Sequence, residues 1–210
     1  MVDQKASDLH LSSDEAPFFR INGKLVRTTD LYSSADQLEA VSQALMNKNQ
    51  QEAFAENKSV DLALSNSTGE RFRINVYRDR GNVSIAIRRL DDKFQSLAEL
   101  NLPGQLSRLA DLRDGLVLIT GPTGSGKTTT LASLVNQINQ EQTKHIITIE
   151  DPIEYIHRNQ QSLVHQRELY TDVPSFSDAV RSSLREDPDV LLVGEMRDPE
   201  TIRAAITAAE

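Results

Sequence analysis

The sequence predicts two mixed domains, a small α+β domain followed by a parallel α/β domain, and three observations carry that reading. In the first part of the chain, runs with the two-residue period of strands flank a stretch with helical spacing. From Gly115 the order becomes strand, glycine-rich turn, helix, strand, which is the signature of a parallel sheet. The turn itself reads "GPTGSGKT", Gly121 to Thr128, with the spacing of a phosphate-binding loop.

In the first domain, placed at residues 1–93, "SDLHL" alternates as a strand. "FFRINGKLVR" then carries Asn22-Gly23 between two strand-like runs, a strong hairpin signal. From Ser34 to about Asn47, Leu38, Val41 and Leu45 recur at helical spacing, after which "VDLALS", "RFRINVY" and "VSIAIRR" return to the sheet period. The stretch "DDKFQSLAELNLPG" reads as a linker, assigned to 94–103 and ending at Pro103-Gly104. The second domain, 104–210, begins with "GLVLIT" as its first strand, followed by a helix from Lys127 to about Asn139. "HIITIE" and "VLLVGE" are its further strands, the last preceded by a helix that opens on Ser175 and Asp178 and stops before Pro188.

Composition bounds the function classes. With 38% hydrophobic and 26% charged residues, the chain is ordinary for a globular protein able to bury a core. No apolar run approaches the roughly 18 residues of a membrane span, and the N-terminus lacks a basic-then-apolar leader pattern. An integral membrane protein is therefore not expected. The absence of cysteine removes disulfides and thiolate metal sites and fits a reducing, cytoplasmic setting. A formal net charge of -8 weighs against a general nucleic-acid surface, so no direct nucleic-acid partner is expected.

The phosphate loop is the most specific signal. Gly121, Gly124 and Gly126 let the backbone curl so that successive N–H groups face an anion, and the helix that follows adds the positive end of its dipole. Lys127 supplies a point charge for the β- and γ-phosphates, and the Thr128 hydroxyl suits a Mg²⁺ shared with them. The expected nucleotide set is Gly121, Pro122, Thr123, Gly124, Ser125, Gly126, Lys127, Thr128 and Thr129, with ATP and Mg²⁺ as the bound species.

Ligands of open parallel sheets sit at the carboxyl ends of the strands, which places Glu150 and Glu195 toward the loop, with Asp151 and Glu154 just beyond. In "ITIEDPIEY" the plain alternative is a solvated acidic turn opened by Asp-Pro. Gly194 stands in "DVLLVGE" where a metal-holding aspartate would be expected. Glu195 is then the candidate for the metal's water shell, Glu150 and Asp151 are supporting or metal-shell groups, and the "EDPIE" acids are left for the attacking water. Arginine is concentrated between Arg71 and Arg89, six against the single acid Asp79, with Arg73 and Arg88 on polar strand faces. A solvated face and a phosphate-binding face are both open readings. Arg181 and Arg185, one helical turn apart, could meet the γ-phosphate or pair with the acids. His10, His145, His157 and His165 show no metal-ligand spacing.

Taken together, "ASDLHL", "GPTGSGKTTTL", "HIITIEDPIEY", "LVHQRE" and "SLREDPDVLLVGEMRDPETIR" resemble the secretion and type IV pilus ATPase superfamily, most closely its PilT-like retraction branch. The resemblance implies a PAS-like N-terminal domain, a RecA-like domain, nucleotide between them, and a homo-hexamer. It also implies an inner-membrane platform protein as partner and a cytoplasmic location peripheral to that membrane. It makes Glu154 the catalytic carboxylate and Glu195 the Walker-B glutamate, puts Arg73 and Arg88 in the places of the N-terminal-domain arginines that close onto the phosphates, and matches Arg181 and Arg185 to the family's arginine pair. Members continue past "AAITAAE" into a histidine-containing box, so a RecA-like domain truncated before that box, in a fragment of a longer chain, is the expectation. An assembly or secretion ATPase, a nucleotide-binding module without hydrolysis and a nucleic-acid motor, against which the acidic balance weighs, are the rivals.

Overall fold

The computed structural model describes residues 1–28, 32–90 and 93–210. It divides into two compact units, Met1–Asp91 and Asp92–Glu210. Asp91 and Asp92, which open the expected linker, lie outside the described residues, and segment 94–103 is part of the second unit.

The first unit is one antiparallel sheet. Strands β1 (Asp8–Ser12), β2 (Phe18–Ile21) and β3 (Lys24–Arg27) precede helices α1 (Ala35–Leu45) and α2 (Lys48–Asn57). Strands β4 (Ser59–Ser65), β5 (Arg71–Asp79) and β6 (Asn82–Arg89) follow them. The six strands lie in the order β3-β2-β1-β6-β5-β4. Asn22 and Gly23 both take positive φ, 49° and 79°, as a two-residue hairpin of matching twist requires. Ser34 caps α1 through a reciprocal box with Gln37.

Helix α2 has no counterpart in the sequence reading. Its "KNQQEAFAEN" buries only Gln50, Ala53 and Phe54, too sparse a stripe to announce a helix. Its one local signal is Asn47, which forms a capping box with Gln50. Alternation along β5 behaves as expected, with Ile74 and Val76 buried and Arg71, Arg73 and Asn75 on the opposite, polar face.

The second unit is layered. A 3₁₀ turn (Gly104–Asp111) and α3 (Lys127–Glu141) precede β7 (His145–Glu150), β8 (Leu163–Glu168), α4 (Phe176–Ser183), β9 (Val190–Val193) and α5 (Pro199–Ala208). The sheet runs β8-β7-β9, all parallel. Ile146 and Val164 pack with Val135 and Ile138 of α3, whereas Ile149 packs on Phe176, Val180 and Ala204 of the α4–α5 side. The sheet is thus covered on both faces, as buried parallel strands require.

Two expectations change here. "GLVLIT" is not a strand: Gly115 N–H bonds Ala209 O at 3.2 Å, but Leu116, Val117 and Leu118 are 46, 41 and 59% exposed and lie outside the sheet. Its composition has the capacity for a strand, but a strand needs a neighbour for its ladder. Conversely "LVHQRE" forms β8, which was not expected because its alternation of polar residues hides the apolar face.

Candidate active site

The phosphate loop has the backbone its glycines promise. Gly124 and Gly126 sit at φ 79° and 89°, the left-handed region that glycine enters without strain, and Gly126 is the N-cap of α3. Lys127, the first helical residue, donates through Nζ to Gly121 O and Pro122 O at 2.9 and 3.1 Å, so its ammonium lies in the curl of the loop. Thr128 and Thr129 follow on the first turn. A curled loop running into a helix N-terminus is the arrangement that polyphosphate sites use.

Beside it lies the acidic crossover, residues 151–162, which connects β7 to β8 without regular structure. The Tyr155 hydroxyl is 3.4 Å from Thr129 Oγ1, and this contact joins the crossover to the phosphate-loop helix. Phe94 covers the same segment, its ring 5.5 Å from Tyr155 and 4.6 Å from His157, centroid to centroid.

Glu150 ends β7 and is deeply engaged. Its Oε1 accepts the Thr148 hydroxyl at 2.6 Å and Gln166 Nε2 at 3.2 Å, and its carboxylate also takes the Glu154 N–H. Burial is the main cause that raises its pKa, the Glu154 charge adds to it, and these hydrogen bonds offset only part. Asp151 and Glu154 are half-buried on the loop after it, and the Asp151-Pro152 peptide is cis. His157 is 8% exposed, and burial lowers its pKa from 6.5 to about 4, keeping the ring neutral.

Strand β9 stops at Val193, so Glu195 lies beyond the strand end, in the connection to α5, where its Oε2 meets Arg197 Nη2 at 2.9 Å. Gly194 has a packing reason. Its N–H bonds Ile149 O at 2.8 Å, and a Cβ there would stand 3.1 Å from that same oxygen, so a larger residue would push the ends of β7 and β9 apart.

The arginines are placed differently from one another. Arg73 and Arg88 are direct cross-strand partners on β5 and β6; Arg73 pairs with Asp61 at 3.2 Å and Arg88 with Asp8 at 2.8 Å. Burial would raise the Asp8 pKa, but hydrogen bonds from Arg88 and Ser7 and the charges of Arg88 and Arg20 bring it below the ordinary value. Arg78 grips Glu39 through two bonds of 2.7 and 3.0 Å, and Arg89 pairs with Glu70 at 3.1 Å. Counting acids between positions 71 and 89 missed these partners, because they arrive from other strands, from α1 and from the turn before β5. In the second unit Arg181 lies on α4 beside Asp178, at 3.4 Å, whereas the helix ends at Ser183 and Arg185 falls in the turn after it. The two are not on one helical face as the spacing suggested.

Sequence reasoning missed Thr148, Gln166 and Glu168. Their signal is polar residues in core-facing rows of strands: Val164, Gln166 and Glu168 share a face of β8, and Glu168 is 9% exposed.

The model of the family described as type II/IV secretion system protein matches residues 1–210. The chain is 44% identical over 207 residues to the type IV pilus retractation ATPase PilT of Pseudomonas aeruginosa, covering 99% of this chain and 60% of that protein. It is 44% identical over 194 residues to the twitching motility protein of Neisseria gonorrhoeae, covering 92% and 52%. The crystal structure of the pilus retraction motor PilT with bound ADP superposes with a TM-score of 0.89 at 43% identity, covering all of this chain and 61% of that one. The chain therefore spans a little over half the length of these relatives, and its mixed α/β fold is theirs. With the phosphate loop, the acidic crossover and a family match along its full length, the chain belongs to the type II/IV secretion system protein family.

Proposed function

We propose that this protein is an ATP-hydrolysing motor that powers retraction of a type IV pilus. The observation that carries the chemistry is the adjacency of phosphate loop and acidic crossover, joined at Tyr155 and Thr129. The relatives named for pilus retraction and twitching motility support the biological role.

In this reading the loop amides and Lys127 hold the triphosphate, and Glu154 accepts a proton from the water that attacks the γ-phosphorus. The bond to the bridging oxygen breaks, leaving ADP and phosphate. Glu150 serves as support: its burial disfavours the charged form and its oxygens are occupied by Thr148, Gln166 and the Glu154 N–H. Thr128, Glu195 and Asp151 are oxygen donors of the kind a hard cation takes, and bound Mg²⁺ would neutralise phosphate charge. Glu150, the fourth group proposed for the metal shell, is committed to Thr148 and Gln166, which leaves Thr128, Glu195 and Asp151 for that place. Arg73, Arg88, Arg181 and Arg185 remain proposed contributors of positive charge. For Arg73 and Arg88 that role requires release from Asp61 and Asp8.

We further infer a PAS-like first domain (1–93), a linker (94–103) and a RecA-like second domain (104–210). The motor would be a cytoplasmic hexamer working against an inner-membrane platform protein. The antiparallel six-stranded sheet and the two-faced parallel sheet support the domain reading. Phosphate release from Mg-ATP by the full-length protein tests the function. We expect turnover that Lys127→Ala lowers at least a hundredfold; equal rates in both proteins would overturn it. ATP binding without release by the wild type would instead favour a nucleotide-binding module. Restored twitching in a retraction-deficient strain separates retraction from assembly or secretion.

A further inference from the structure

We propose that Gln166 and Glu168 are positioning residues for hydrolysis, two β8 side chains that hold the backbone of the acidic crossover so that Glu154 is presented in one place. The proposal rests on the reading of Glu154 as the water-activating base.

Parallel neighbours such as β7 and β8 are usually joined through a helix, which satisfies its own backbone groups. The connection 151–162 has no such ladder, so its N–H and C=O groups need partners from elsewhere. Those around Glu154 find them on strand side chains. Glu168 Oε2 accepts the Ile153 N–H at 3.1 Å, and the Glu150 carboxylate accepts the Glu154 N–H. Gln166 Nε2 donates to Tyr155 O at 2.8 Å, while Gln166 Oε1 accepts the His157 N–H at 2.8 Å. The backbone is therefore pinned immediately before and immediately after Glu154.

The pins are themselves anchored. The other Glu168 oxygen takes the Thr171 hydroxyl at 3.2 Å, and the Glu168 N–H donates to Asp172 Oδ2 at 2.8 Å. Gln166 Nε2 also reaches Glu150 Oε1 at 3.2 Å, so one amide spans the strand end and the loop. A hydrogen bond from a backbone N–H to a buried carboxylate is stronger than a neutral one, and Ile153 and Glu168 are both buried. At the far end, buried Asn139 of α3 donates to Arg158 O at 2.8 Å and accepts the Gln160 N–H at 3.1 Å. Helix α3 thus grips the crossover by its C-terminal end while its N-terminus carries Lys127. A base must stand within hydrogen-bond reach of its water, and about 1 Å of misplacement can cost on the order of a hundredfold in rate.

The test uses the full-length protein and the variants Gln166→Leu, Glu168→Ala and Glu168→Gln, read by kcat, KM for ATP, ADP affinity and amide hydrogen exchange. We expect Gln166→Leu and Glu168→Ala to lower kcat about ten- to hundredfold, with KM and ADP affinity within about threefold. Exchange at 153–157 should accelerate while the β7 amides stay protected. Glu168→Gln keeps an acceptor for Ile153 and should recover most of the turnover. If Glu168→Ala fails to fold, the other two variants decide. Unchanged kcat in Gln166→Leu, nucleotide affinity falling in step with kcat, or unchanged exchange at 153–157 would each overturn the proposal. An inactive wild type would overturn the functional reading and with it the role in hydrolysis, whereas an active wild type with unchanged exchange at 153–157 in the variants would overturn the positioning proposal alone.

Discussion

The phosphate loop and the acidic crossover lie side by side, yet their shapes come from different sources. The loop 121–128 is shaped by its own residues: glycines at positive φ, and a lysine bonded to carbonyls five and six positions earlier. The crossover 151–162 is shaped from outside, by Glu150, Gln166 and Glu168 near its proximal half and by Asn139 at its far end. A loop built locally keeps its form wherever the chain places it. One built by distant side chains is only as fixed as the strands that carry them.

The largest effect expected from this contrast is a pH dependence at the crossover. His157 is held neutral by burial, with a folded pKa of about 4 against 6.5, so the unfolded chain binds more protons between those values. Stability should be full above about pH 6.5 and fall by up to about 3 kcal/mol as pH drops through 4. Glu150 has the opposite sign: its pKa is raised by burial, so its contribution is present below 4.5 and is lost as pH rises through its folded value. His157→Phe preserves the backbone bond to Gln166 and the packing on Phe94, and isolates the histidine. Urea unfolding between pH 4 and 7 should show a shallower acid loss in the variant. Equal slopes would show that the ring is not held neutral.

A smaller effect belongs to the loop. Gly126→Ala forces a Cβ into left-handed backbone at the α3 N-cap, a strain of about 1 to 2 kcal/mol, and should weaken ADP binding by about tenfold. Calorimetric titration reads it, and unchanged affinity would break the claim that local backbone form makes this site. Smaller still, Gly194→Ala places a methyl 3.1 Å from Ile149 O. A loss of about 1 kcal/mol in denaturant unfolding is expected, with ADP affinity kept.

The same contrast explains what could be read from the sequence. Gly121 to Thr128 was legible because the chemistry demands particular residue types at particular spacing. The Asn22-Gly23 hairpin was legible because only a few pairs suit its turn. The acids of "ITIEDPIEY" were legible as a cluster, but their division was not. Glu150 is distinguished by burial and by Thr148 and Gln166, and the latter bond spans sixteen positions. Strand β8 hid behind the polar residues that give it its role, and α2 behind a sparse apolar stripe. "GLVLIT" misled in the other direction, since strand-forming composition is local and a pairing partner is not. The arginine strands were read correctly as strands, while the acids that pair with them come from β1, β4 and α1 and from the turn before β5.

The central claim is a division of labour in which the loop binds nucleotide and the crossover delivers the group that activates water. Glu154→Gln tests it most directly, with Mg-ATP affinity and single-turnover phosphate release measured on the same full-length protein. The account predicts affinity within about threefold of wild type and release slowed at least a hundredfold. Release at the wild-type rate, or affinity lost together with release, would contradict it.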